Sequence, residues 1–161
     1  MRSNGRAFNY ETSDARARPP SLILFSLDRL AFTMDNGKQP ELDGRQQTLL
    51  GFAEGAQERG HFFFYVRIPG DIQPIERGER FEDPLQAALD AEDLGEVTGG
   101  GSQMGEGKTV EFCGLDVEVT DRERGLCVIR QVMRRLNAPP GTVIEEYVPV
   151  FRELSLDAPA V

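Results

Sequence analysis

An α+β sandwich with the element order β-α-β-β-α-β is the fold class this sequence predicts for residues 61–147, and three observations predict it. Residues 61–69 read HFFFYVRIP, an aromatic and β-branched run of period two. Residues 96–103 and 110–120 flank a Gly-rich turn, which is the pattern of a hairpin. Leu126, Ile129, Val132, Met133 and Leu136 then recur on one helical face.

Each element has a local reason. In the first strand Phe62, Phe64, Val66 and Ile68 alternate with Phe63, Tyr65 and Arg67. Residues 70–83 form a polar loop, and Asp83 with Pro84 supplies an N-cap and a proline at the first helical position. Leu85, Ala88 and Leu89 share a face, and Gly95 follows the end, so the first helix covers about residues 84–94. In the third strand Val110 and Phe112 are in one phase and Leu115, Val117 and Val119 in the other. A β-bulge near Cys113 and Gly114 is therefore expected, which places Glu111, Asp116 and Glu118 on one face. Thr120 and Glu123 have capping-box spacing for the second helix, Pro139-Pro140-Gly141 ends it, and residues 142–147 form the last strand.

This order is that of a ferredoxin-like sandwich, a four-stranded antiparallel sheet with two helices on one face. Connection rules place the first and third strands at its centre. The runs GEVTGGGSQ (95–103) and APPGTVIE (138–145) resemble those of a family of small, uncharacterised bacterial proteins. The resemblance covers residues 61–147 and implies the same fold; it implies no activity.

Outside this domain the sequence is less regular. Residues 1–60 read as an extension whose first twenty residues, rich in Arg, Ser, Asn and Pro, form a tail. Residues 21–32 make a short strand or helix, and Asp35-Asn36-Gly37 marks a turn. A short helix at 45–59 presents Leu49, Phe52 and Ala53 on one side, weakened by Gly51 and Gly55 at about 1 kcal/mol each. Residues 148–161 read as a C-terminal tail.

Charge divides the chain. Residues 1–60 carry eight basic and eight acidic side chains and residues 61–161 carry ten and nineteen, so the whole net charge of −9 belongs to the second part. Phosphate neutralisation needs Lys and Arg, so nucleic acid is not the expected partner; a basic protein is. No apolar run approaches the roughly 20 residues of a membrane span, and no signal-type stretch follows Arg2 and Arg6. A cytoplasmic protein with Cys113 and Cys127 as reduced, buried thiols is expected, with no membrane partner.

Chemical motifs are few. Gly107-Lys108-Thr109 superficially resembles the end of a phosphate-binding loop, but the required earlier glycine is Ser102, and a strand follows instead of a helix. Gly99–Gly101 fits a bulge or weak edge strand, or a place where a ligand or backbone approaches closely. His61 is the only histidine and the cysteines form no CxxC pair, so neither a metal site, a cofactor nor a catalytic residue is expected.

Two groups remain as a partner-binding surface. On the sheet face left open by the helices stand Phe63, Tyr65, Arg67, Glu111, Asp116 and Glu118, too acidic for base stacking. In the loop after the first strand, Arg77 and Arg80 either form an anion or recognition site or pair with the neighbouring acids to pin the loop. The function expected is a non-catalytic acidic protein-binding domain, such as an immunity- or antitoxin-like inhibitor of a basic protein. The alternative is a small-molecule-binding or enzymatic homodimer that closes a pocket over Phe63, Tyr65 and Arg67.

Overall fold

The computed structural model describes residues 41–157. The tail, the element at 21–32 and the turn at 35–37 lie outside the described residues, as do 158–161. The described residues form an α+β structure whose elements are α1 (Gly44–Glu58), β1 (Phe62–Pro69), α2 (Pro74–Arg77), a π-helical turn (Gly78–Glu82), α3 (Asp83–Ala91), β2 (Gly95–Met104), β3 (Val110–Val119), α4 (Arg122–Arg135), β4 (Val143–Glu146) and β5 (Arg152–Ser155). Among the described residues the sheet has five strands in the order β2-β3-β1-β4-β5, antiparallel throughout.

The two faces of this sheet are both used. Alternate β1 residues Phe64, Val66 and Ile68 join Leu115, Val117 and Ile144 in the main core beneath Leu85 and Leu89 of α3 and Leu126, Ile129 and Met133 of α4. Phe63 and Tyr65 point the other way and pack with Tyr147 against Leu49, Ala53 and Ala56 of α1. The face expected to be open is therefore partly covered, and Phe63 and Tyr65 are each only 5% exposed. The physical reason is the composition of β1: a strand apolar on both faces needs cover on both. α1 supplies it, started by a capping box in which Asp43 Oδ1 accepts from Gln46 N at 2.7 Å and Gln46 Oε1 accepts from Asp43 N at 3.0 Å.

The helix expected at 45–59 is α1, but it packs on the sheet instead of lying in an extension, and the element counts exceed those of the expected sandwich by this helix, by the helical segment from Pro74 and by a fifth strand after β4. α1 and β5 are part of the packed structure, beyond the boundaries expected at 61 and 147. Three local corrections follow. The loop expected at 70–83 is helical from Pro74, because Pro74 starts a helix at its first turn and the chain continues through the π turn, burying Phe81. The N-cap of α4 is Asp121, whose side chain accepts from Arg124 N at 3.0 Å, while Thr120 Oγ1 donates to Leu94 O at 3.2 Å. No bulge occurs at Cys113 and Gly114, where β1 and β3 stay in continuous register. The shifts lie between β2 and β3, around Val97/Gly99 and Gln103/Met104, so Glu111 falls opposite no β2 residue.

No helix among the described residues is long and apolar enough to cross a membrane. Cys113 is buried and Cys127 partly exposed, both free; Cys127 accepts a hydrogen bond from Gln131 at 3.1 Å.

Candidate functional site

α1 runs over β1 and stops short of the β2 edge. On the β4 side its first turn is bolted down by charge. Glu145, with no exposed surface, accepts from Arg45 Nη1 and Nη2 at 2.9 and 3.2 Å, from Arg67 Nε at 2.8 Å and from Tyr147 Oη at 2.6 Å. Arg67 also pairs with Glu153 of β5 at 2.9 Å, and Arg45 lies over the rings of Tyr65 and Phe112. Burial alone would raise the Glu145 carboxyl, but the hydrogen bonds from Arg45, Tyr147 and Arg67 outweigh it and hold the group below the ordinary carboxylate value. Burial and the bond to Glu145 push the Tyr147 phenol up. No buried side-chain polar atom here lacks a hydrogen-bond partner, and the Glu145 carboxylate is filled by donors from this chain.

The β3 side of α1 differs. There a groove of about 310 Å³ is lined by Gly51, Phe52, Gly55 and Arg59 of the α1 region and by Phe63, Thr98, Asp116 and Glu118 of the sheet. Gly51 and Gly55 sit one helical turn apart, which keeps this flank of α1 low. Phe52 is 50% exposed, edge-on to Phe63 with ring centroids 6.3 Å apart. At one end Glu118 is held by Arg59 Nη2 at 2.7 and 2.9 Å and faces His61 Nδ1 at 3.5 Å.

Asp116 is the exception. Among the described residues no side chain or backbone donor gives its carboxylate a hydrogen bond or ion pair. Burial pushes its carboxyl above the ordinary aspartate value; the field of Arg77 opposes this and that of Glu82 adds to it. It stands opposite Gly99, where a Cβ would lie 3.2 Å from Asp116 Oδ2. Any side chain there would crowd the carboxylate, and glycine leaves it open toward the sheet edge.

The residues expected at a partner surface thus separate into four groups. Phe63, Asp116 and Glu118 meet in the groove. Tyr65 and Arg67 belong to the Glu145 cluster, and Glu111, expected beside Asp116 and Glu118, instead lines a different groove with Asp43, Arg45, Arg67, Gln103 and Phe112. Arg77 and Arg80 are internally paired: Arg77 with Glu82, and Arg80 with Glu76 at 3.2 Å and over the Phe81 ring. The pinned-loop reading of that segment is the one the geometry supports. Phe52, Thr98 and the Gly51/Gly55 pair were not singled out for a site; their signal was the glycine spacing itself, read as a weakness in a helix.

Comparisons with protein-family models, with curated proteins and with solved structures give no match to this chain. The reading of the groove therefore rests on its own chemistry. It offers a half-buried carboxylate without a donor, a second carboxylate, an exposed aromatic ring and a glycine-walled opening, and no group of three or more potential metal-ligating side chains occurs among the described residues.

Proposed function

We propose that this chain is a ferredoxin-like, non-catalytic recognition domain of the cytoplasm that binds a basic segment of another protein in the groove between α1 and the β2-β3 hairpin. The observation that carries the proposal is Asp116. A half-buried carboxylate with no protein donor, its carboxyl raised by burial, offers an acceptor to which an incoming Arg or Lys supplies charge-assisted hydrogen bonds. The net charge of −9 steers cationic partners toward the domain, and Phe52 presents a ring on which a guanidinium stacks. An inhibitor of a basic protein, of immunity or antitoxin type, is the biological form this chemistry fits. The alternative, a homodimer closing a small-molecule pocket over Phe63, Tyr65 and Arg67, loses support because α1 already covers the first two and Glu145 and Glu153 hold the third.

The test is fluorescence anisotropy of labelled Arg-rich and Glu-rich peptides with the full chain at low and physiological salt. Binding of the Arg-rich peptide alone, weakened about tenfold, or ~1.4 kcal/mol, by Asp116→Asn, is the expected result. Equal binding of both peptides, or an unchanged affinity in the variant, overturns the assignment.

A further inference from the structure

The outer edge of β2 is the second surface that the fold leaves unused. β2 ends the sheet order, and among the described residues no strand pairs with its far side. Gln86 Oε1 caps that edge at one point only, accepting from Val97 N at 2.7 Å. From Thr98 to Met104 the strand is largely exposed. It also contains no charge, since no Asp, Glu, Lys or Arg occurs between Glu96 and Glu106. Edge strands are ordinarily protected by charge, by proline or by cover; here charge and proline are missing from Thr98 to Met104, and the cover is limited to Gln86 at Val97 and the Arg77–Glu82 pair over one face of Gly100.

We infer that the basic segment binds as an extended strand added to this edge, with arginine or lysine at alternating positions; this rests on the reading of Asp116 given above. An added strand lies beside β2 and two strands from β3, so its backbone is roughly 10 Å from that of β3. Only a long cationic side chain crosses that distance to Asp116, and it crosses over Gly99, where there is no Cβ to stop it. Gly101 has nothing within 4 Å of its Cβ position and leaves the path equally open two residues on. Successive side chains of a strand alternate between faces, so every second residue of the segment points to the Asp116 side. The backbone bonds supply affinity and the alternating cations supply selectivity, as in other strand-addition complexes. Gly99 and Gly101, which weaken a strand, thereby acquire a use, while Gly100 makes room on the other face for Arg77 and Glu82.

The experiment compares four labelled peptides of the same arginine and threonine content by anisotropy: one alternating, two with that sequence N-methylated at alternate residues along one edge or the other, and one with the arginines in one block. Hydrogen exchange of the full chain is followed in parallel. The inference expects the alternating peptide to bind best and N-methylation on one edge to cost at least tenfold. It also expects Thr98–Met104 amides to gain protection, and Gly99→Leu to weaken binding with the fold intact by circular dichroism. If all four peptides bind equally with no added protection, strand addition is wrong while the acidic groove stands. If none binds, both fall. Protection of β2 without peptide in a sedimenting dimer assigns the edge to a second copy and also overturns it.

Discussion

The two halves of the face beneath α1 use carboxylates in opposite ways. On the β4 side Glu145 is fully buried and receives four hydrogen bonds, and its carboxyl is held low. On the β3 side Asp116 is half-buried and receives none among the described residues, and its carboxyl is pushed up. The first is a structural fastener; the second is left to solvent in the protein alone, which is what the proposed cationic partner would replace. Burial acts on both, and the number of donors decides the sign.

The comparison can be broken most directly at Glu145. Glu145→Ala leaves Arg45, Arg67 and Tyr147 without their shared acceptor and is expected to destabilise the fold by about 3 kcal/mol in chemical denaturation. A loss of less than about 1 kcal/mol would mean the cluster does not hold α1 down. Next in size is Gly114→Ala. A Cβ there falls 1.9 Å from Tyr65 Oη, so the ring that lies under Arg45 must move, at about 2 kcal/mol. An unperturbed melting temperature would show that the Tyr65 packing is loose.

The pH dependence sharpens the contrast. Because the folded Glu145 carboxyl lies below its ordinary value of 4.5, its contribution to stability is complete above that pH and is lost as pH falls through the lowered value. Acid titration of stability should therefore be shallower in Glu145→Gln than in the native chain, and parallel curves would contradict the assignment. Asp116 runs in the other direction, since a raised carboxyl favours the folded state on protonation. Asp116→Asn is thus expected to leave stability unchanged or slightly higher, by no more than about 0.5 kcal/mol, while losing affinity for cationic peptides. A clear destabilisation would make Asp116 a structural residue.

Much of the architecture was legible in residue order. The two-faced pattern of β1, the hairpin around Gly105–Gly107 and the stripe of α4 all follow from periodicity and turn chemistry, which act within a few residues. The site was legible only in part. Asp116 and Glu118 could be placed on one strand face by counting, but Glu111 could not, because a register shift against β2 decides its position. Pro74 carries a helix-start signal that the polar reading of 70–83 does not use. Nothing local marks Glu145 in the last strand as buried; its burial goes with a bond from Arg45, a hundred positions earlier.

By itself, then, the sequence determined an acidic α+β domain with strands and helices in this order, since amphipathic period, capping residues and net charge are properties of short segments. Only the tertiary structure decided that α1 covers half of the second sheet face, that β5 extends the sheet, and that one carboxylate there is saturated while another is left without a donor. Those outcomes depend on which distant side chains meet across the sheet.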